Sequence, residues 1–222
     1  MIKLQQPGNK TVTQSEHGFT LIEVLMALTV FALIAALSYS TLDMAGTGFN
    51  ILSKVRTAQE QSGWVGKTLR QDLRYLSAAP QDTSDQKGKL AAGDKIVPIR
   101  IQNDNRGDVE FDQLWLLVRL PGTQSISQVH YYIDENNNHL MRESRLLLAR
   151  DNVTPLRWDF GKIHSWVVEV WDKDGNRRQD WNFDARSFSW PKAVDVHLQV
   201  DASGSIASQR HWLMSVFPEQ LL

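Results

Sequence analysis

The sequence contains no cysteine among its 222 residues. Disulfides, thiolate metal sites and a cysteine nucleophile are therefore excluded. An excess of charge is also lacking, because 24 basic and 25 acidic side chains leave a formal net charge of -1. So small a net charge creates no global field that would attract nucleic acid, and nucleic acid is not an expected partner.

Common catalytic motifs are absent as well. The sequence has no HExxH zinc pair, no GxSxG nucleophile element and no phosphate-binding glycine loop. Isolated histidines on strands usually have structural or surface roles, and this is our interpretation of His130, His139, His164, His197 and His211. We therefore predict that the protein is not an enzyme, that it has no catalytic residues, and that it holds no cofactor and no metal.

One long apolar run stands out near the N-terminus. Residues 19–42 read FTLIEVLMALTVFALIAALSYSTL, without proline or glycine, and Glu23 is their only ionisable group apart from Tyr39. A helix of this length spans about 36 Å, which exceeds the roughly 30 Å hydrocarbon core of a bilayer. We predict that residues 19–42 form a transmembrane helix.

The residues before this run read as a short leader, residues 1–18. An ordinary cleaved secretory signal is the alternative, but its apolar region is about 7 to 15 residues long and contains no acid. Lys3 and Lys10 against the single acid Glu16 make the leader net basic. The positive-inside rule then keeps the leader in the cytoplasm and places the rest of the chain outside.

Residues 43–79 continue with helical periodicity as an amphipathic extension of the membrane helix. Its spaced apolar residues are Leu52, Val55, Trp64, Leu69, Leu73 and Leu76. Kinks or a break are expected at its glycines, which are Gly46, Gly48, Gly63 and Gly66. Pro80 is expected to end the helix.

Residues 80–222 are predicted to be β-rich after a solvated connection at residues 81–94. We expect a strand at 109–120, a hairpin with a five-residue loop at 134–138, a second turn at 172–175, and strands at 194–200 and 205–217 around Gly204. The fold class is therefore α+β: a long N-terminal membrane-spanning helix with a mixed or antiparallel sheet packed on its outer half.

The run Gly18-Phe19-Thr20-Leu21-Ile22-Glu23-Val24 joins the basic leader to the apolar helix. It resembles the processing site of type IV prepilins and type II secretion pseudopilins. That resemblance implies that a prepilin peptidase cuts between Gly18 and Phe19 and methylates the new amine of Phe19. It also implies that Glu23 forms an assembly salt bridge with the Phe19 amine of a neighbouring subunit.

Later elements resemble, more loosely, the minor pseudopilin J of type II secretion. They are residues 69–76 (LRQDLRYL), Leu156-Arg157-Trp158-Asp159-Phe160, Trp181 and residues 190–198 (WPKAVDVHL), in which Trp190 replaces the family's usual leucine. The resemblance implies a role in starting or forming the pseudopilus tip, with I-, K- and H-type minor pseudopilins, the major pseudopilin and secreted substrate proteins as partners. It places the chain in the bacterial inner membrane with its C-terminal domain in the periplasm. A minor type IV pilin that initiates or caps a surface pilus is the alternative.

Two further alternatives concern the outer domain. The acidic turns at residues 134–138 and 172–180 offer oxygen ligands for calcium, although neither has the glycine and terminal acid of an EF-hand loop. We predict ordinary hairpin turns. A carbohydrate-binding module would require several of the eight tryptophans to be exposed and coplanar.

Overall fold

The computed structural model describes residues 18–77, 97–106, 109–119, 121–123, 125–147, 153–182, 190–201 and 207–216. Residues 1–17 of the leader, the connection at 81–94, Pro80 and the turn at Gly204 lie outside these ranges. The described elements are α1 (Leu21–Arg74), β1 (Ile99–Gln102), β2 (Asn105–Arg106), β3 (Val109–Glu110), β4 (Gln113–Arg119), β5 (Ile126–Asp134), β6 (His139–Leu146), β7 (Leu156–Lys162), β8 (Ser165–Trp171), β9 (Arg177–Arg178), β10 (Trp181–Asn182), β11 (Ala193–Asp201) and β12 (Ala207–Ser215).

The chain divides into two compact units, Met1–Asn50 and Ile51–Leu222. In the first unit the described residues are almost entirely helical, and their large apolar side chains are exposed. The second unit holds the C-terminal part of α1 and every described strand. The sequence analysis also predicted a helical N-terminal segment followed by a β-rich domain.

Three antiparallel sheets form the second unit. The largest has the strand order β10-β1-β4-β5-β6-β7, a second has the order β12-β11-β8-β9, and β2 pairs with β3. A parallel bridge between Phe111 and Trp166 joins β8 to the residue after β3. The predicted α+β fold, a long N-terminal helix followed by antiparallel sheets, is confirmed.

The core lies between the sheets and one stripe of α1. On the helix the buried stripe recurs every three or four residues, at Ala58, Ser62, Val65, Leu69 and Leu73. Strands β5 and β8 alternate strictly between buried and partly exposed residues, as a sheet with one face on the core requires. Burying this stripe is what holds the C-terminal part of α1 on the sheets.

The two predicted turns form as hairpins. Strands β5 and β6 are joined by residues 135–138, a loop of four residues instead of five, because Asp134 pairs with His139 within the ladder. Asn138 adopts a left-handed φ of 58°, which asparagine tolerates well. Strands β8 and β9 flank the other turn, in which Gly175 has a φ of 85°.

The strand predicted at residues 109–120 is broken in the structure. Strand β3 pairs with β2, whereas β4 pairs with β1 and β5, and the buried Asp112 lies between these two separate ladders. The carboxylate of Asp112 accepts hydrogen bonds from the backbone N–H groups of Asp104 and Val168, at 3.3 and 2.8 Å. A buried side-chain acceptor therefore replaces part of the backbone ladder and ties the large sheet to β8.

The predicted end of the helix is also wrong. Helix α1 ends at Arg74, and the next residues pair with β4: the N–H of Ser77 donates to the carbonyl of Leu117, and the N–H of Arg119 donates to the carbonyl of Tyr75. Sheet pairing has displaced the last helical turn. Of the kinks or break expected at the glycines, a break does not occur, because α1 continues as one helix through all four of them.

Gly66 has a packing role that the sequence did not show. A Cβ at this position would lie 2.6 Å from the indole of Trp212 on β12, whereas a Cβ at Gly63 would meet nothing within 4 Å. We predict that Gly66→Ala lowers the free energy of unfolding by about 1 to 3 kcal/mol, because overpacking outweighs the gain in helix propensity.

Gly63→Ala is the matched control and should stabilise the protein by up to about 1 kcal/mol. Urea unfolding of the full chain in detergent, followed by tryptophan fluorescence, measures both changes. Equal stabilisation by the two variants would show that Trp212 moves aside without cost.

Candidate functional site

Helix α1 begins with a reciprocal cap. Residues 18–20 precede the helix, and Thr20 occupies the position before its first residue, Leu21. The Glu23 carboxylate accepts hydrogen bonds from the Thr20 N–H and hydroxyl, both at 2.9 Å, and the Glu23 N–H donates to the Thr20 hydroxyl oxygen at 3.3 Å. This is a capping box, which satisfies backbone donors that a helix start leaves unpaired.

The sequence analysis missed this role of Glu23. Its signal was present, because Thr20-Leu21-Ile22-Glu23 has the spacing of a threonine cap followed three residues later by glutamate. Glu23 therefore has two candidate partners, Thr20 in its own chain and a cation on a neighbouring chain.

The predicted cleavage junction is open to solvent. Gly18 and Phe19 are exposed, and the Phe19 side chain is 87% exposed. A Cβ built at Gly18 would meet no atom within 4 Å. Packing within the described chain therefore does not require glycine at this position.

The apolar part of α1 has no covering within its own chain. Large apolar side chains from Leu21 to Leu42 are exposed on all sides of the helix. In the described part of the chain, α1 is the one helix long and apolar enough to cross a membrane. A helix that is apolar all round requires an apolar surrounding, and a single N-terminal helix of this kind fits a membrane anchor.

Comparison with known families agrees with this geometry. Residues 13–39 match the model of the prokaryotic N-terminal methylation motif. This match supports a relationship of the chain to the type IV prepilin-like superfamily. It covers the predicted cleavage junction, the capping box and most of the apolar run, and it points to a structural pilin-type protein. None of the curated proteins matches the chain.

Residues 69–76, at the C-terminal end of α1, contribute to a buried ion pair. Asp72 accepts two hydrogen bonds from the Arg142 guanidinium, both at 2.7 Å, and one from the Tyr131 hydroxyl. Burial, together with the negative charge of Asp72, raises the pKa of Tyr131 well above its usual range, so the hydroxyl remains a donor. Asp72 thus fastens the end of α1 to β5 and β6.

The acidic turns use their carboxylates internally. Asp172 accepts hydrogen bonds from the N–H groups of Asp174 and Asn176, both at 2.9 Å, and from Arg178 at 3.0 Å. The bond from the Asn176 N–H is the main reason that the pKa of Asp172 is lowered to about 2. Asp134 likewise accepts from the backbone and side chain of Asn136. These contacts are those of self-supporting hairpin turns.

Few of the eight tryptophans are exposed. Trp64 and Trp158 are the largely exposed tryptophans of the described residues, and they lie on α1 and β7 respectively. Trp115 instead stacks on His130 with ring centroids 4.4 Å apart. The described structure therefore offers no extended row of bare tryptophans for a sugar.

Metal-ligating side chains do converge at one place. Asp195, His197 and His211 have ligating atoms that all lie within 4.8 Å of one another. The sequence analysis treated these histidines as isolated, because 14 positions separate them along the chain. Only the pairing of β11 with β12 brings them together.

Proposed function

We propose that this protein is a minor pseudopilin that helps to start or form the tip of a type II secretion pseudopilus. The observation that carries the proposal is the placement of the Gly18–Glu23 motif at the start of a helix whose apolar side chains have no covering within the described chain. A pilin-like subunit needs both features. The motif supplies the processing signal, and the helix supplies the membrane anchor and later the packing surface in a filament.

Maturation in this proposal removes residues 1–18 and leaves 204 of the 222 residues. A prepilin peptidase cuts on the cytoplasmic side and methylates Phe19. Residues 19–42 stay in the inner membrane, residues 43–74 extend the helix, and the β-rich remainder lies in the periplasm. The open surroundings of Gly18 support this, since a need for glycine there would come from the peptidase and not from the fold.

Glu23 has two successive roles in the proposal. Before assembly its carboxylate caps α1 through Thr20. During assembly it pairs with the Phe19 amine of a neighbouring subunit, because an acid within a membrane is costly without a partner. The pair would set the register between adjacent helices.

Assignment to the J-type subunit rests on the later elements. The aspartate in residues 69–76 is the buried Asp72, and residues 190–198 include the start of the central strand β11. The N-terminal motif is equally consistent with a minor type IV pilin, which is the second candidate.

We predict that Gly18→Leu blocks maturation when the chain is coexpressed with a prepilin peptidase, because a side chain at the scissile bond hinders close approach of the peptidase. Mass spectrometry should show the full-length chain for this variant and a methylated product beginning at Phe19 for the wild type. Gly63→Leu, which changes an exposed helical glycine far from the junction, should mature normally.

A methylated Phe19 product from Gly18→Leu would contradict the assigned junction. Copurification then decides between the two candidate systems. Capture of I-type and K-type pseudopilins with the mature protein supports the secretion role, and capture of pilus subunits alone supports the second candidate.

A further inference from the structure

Two neighbouring strands place three potential metal ligands on one face of the four-stranded sheet. Asp195 and His197 are two residues apart on β11, so their side chains project to the same face, opposite the buried Val194 and Val196. His197 is directly paired with His211 on the edge strand β12. The three side chains therefore meet above a single pair of strands.

The Asp195 carboxylate is held in a defined orientation. It is only 3% exposed, and its Oδ2 accepts hydrogen bonds from Trp171 Nε1 and from an Arg177 amino group, both at 3.4 Å. Its Oδ1 faces the two imidazoles: it bonds to His211 Nε2 and lies 3.5 Å from His197 Nε2. Such outer contacts are typical of carboxylates that ligate metals, because they fix the direction of the free oxygen.

His197 supplies an unused nitrogen at this place. Its Nε2 atom is buried and has no hydrogen-bond partner among the described residues. A buried polar atom without a partner costs free energy, and this one lies beside a carboxylate oxygen and a second imidazole. A bound ion would satisfy it.

We propose that Asp195 Oδ1, His197 Nε2 and His211 Nε2 bind one divalent transition-metal ion of the zinc class. Two imidazole nitrogens and one carboxylate oxygen suit zinc, whereas calcium prefers six or more oxygen ligands. Three protein ligands leave a fourth position for water or a ligand from another molecule. The ion would fasten the edge strand β12 to β11.

Binding requires a small rearrangement. Tetrahedral ligands at about 2.0 to 2.2 Å from zinc lie roughly 3.3 to 3.6 Å from one another. The three ligand atoms, which all lie within 4.8 Å of one another, must adjust to that range, and the hydrogen-bonded His211 Nε2 and Asp195 Oδ1 must move apart to admit the ion. The two imidazoles are stacked with centroids 4.2 Å apart and planes 13° apart, and they must tilt until their nitrogens point at one ion. His211 can tilt because its side chain is 53% exposed on an edge strand, which also opens a path for the ion.

The nearby Arg177 does not prevent this arrangement. Its guanidinium also bonds Glu169, which lies beside Asp195 on the neighbouring strand β8 and offsets its charge. Arg177 contacts Oδ2 of Asp195, while the proposed ion uses Oδ1. The two cations therefore occupy opposite sides of one carboxylate.

Equilibrium dialysis of the full chain in detergent, without a polyhistidine tag, tests the proposal with zinc chloride as the probe. We expect one zinc ion per wild-type chain, and at least tenfold weaker binding for His197→Gln and for His211→Gln. His164→Gln is the matched control, since His164 is an exposed histidine outside the cluster and should leave binding unchanged. Zinc should also raise the thermal unfolding midpoint of the wild type and of His164→Gln, but not that of His211→Gln.

Thermal melts without zinc show whether each variant is folded, and the exposed position of His211 makes its replacement tolerable. Failure of the wild type to bind zinc overturns the proposal. Binding that survives His211→Gln in a folded protein, or that disappears in His164→Gln, overturns it equally. None of these outcomes depends on processing or partners, so they are separate from the test of the proposed function.

Discussion

Replacing Arg142 with methionine is expected to lower the free energy of unfolding by about 3 to 5 kcal/mol. The side chains of Arg142 and Asp72 are only 11% and 6% exposed, and the guanidinium donates two hydrogen bonds to the carboxylate. Without it, Asp72 would remain buried, and the Tyr131 hydroxyl would be its one remaining side-chain partner among the described residues. An unpaired buried charge costs far more than the pair contributes.

Arg145→Met is the matched control on the same strand. Arg145 pairs with Glu143 at 3.5 Å and its side chain is 55% exposed, so its loss should cost less than about 1 kcal/mol. Urea unfolding of the full chain in detergent measures both variants. Similar small losses would show that Asp72 reaches water when Arg142 is absent.

A double replacement distinguishes a buried charge from a packing defect. Asp72→Leu combined with Arg142→Met removes both charges, and we expect it to recover much of the stability lost in Arg142→Met. A double variant that is no more stable than the single one would indicate that packing of Arg142 against Trp158, 4.7 Å from its ring centroid, dominates.

The second large effect concerns pH and involves two buried groups with opposite behaviour. Burial raises the pKa of Asp112 from 3.8 to about 6, although two backbone N–H groups oppose this shift. Burial, helped by the positive charge of Arg100, lowers the pKa of His130 from 6.5 to about 4. Both groups are therefore more stable in the folded protein when neutral.

The two contributions have opposite signs between pH 4 and 6.5. The folded state holds the Asp112 proton more tightly, so the contribution of Asp112 is complete below pH 3.8 and is lost as the pH rises through about 6. The folded state disfavours protonated His130, so its contribution is complete above pH 6.5 and is lost as the pH falls through about 4. Each group changes the free energy of unfolding by at most about 3 kcal/mol over this range. Because the two changes have opposite signs, they nearly cancel in the wild type.

Replacing one of the two groups should reveal how the free energy of unfolding depends on pH through the other. In Asp112→Asn, the free energy of unfolding should rise by up to about 3 kcal/mol from pH 4 to 6.5, because only the histidine effect remains. In His130→Gln it should fall by a similar amount over the same range. Asp159 and Asp172 have lowered pKa values, so their effects on stability fall below the pH range from 4 to 6.5.

Urea unfolding across the pH range provides the measurement, and each variant is compared with the wild type at the same pH so that other titrating groups cancel. Variant curves parallel to the wild-type curve would contradict the account. They would mean that Asp112 and His130 are hydrated in the folded protein.

Local patterns in the sequence were sufficient for the coarse organisation. An unbroken apolar run predicted the long helix, alternating apolar residues predicted β11, and clusters of Asp, Asn and Gly predicted both hairpin turns. These features depend on residues close together in the chain. The N-terminal motif is local too, and the match over residues 13–39 supports its interpretation.

Features that depend on distant residues could not be predicted in the same way. The end of α1 moved to Arg74 because residues 75–77 pair with β4, and the strand expected at 109–120 broke because Asp112 reaches β8. In both places a hydrogen bond to a remote strand outweighed local propensity. Propensities amount to about 1 kcal/mol or less per residue, so tertiary contacts readily override them.

By itself the sequence determined a single apolar N-terminal helix, a prepilin-like junction and a β-rich remainder, since composition and short-range order carry that information. Only the tertiary structure decided that Asp72 meets Arg142, that Gly66 lies against Trp212, and that two histidines share an aspartate on one sheet face. Strand register and the close approach of helix to sheet set these contacts. Both follow from packing the whole core at once, which no short window of sequence specifies.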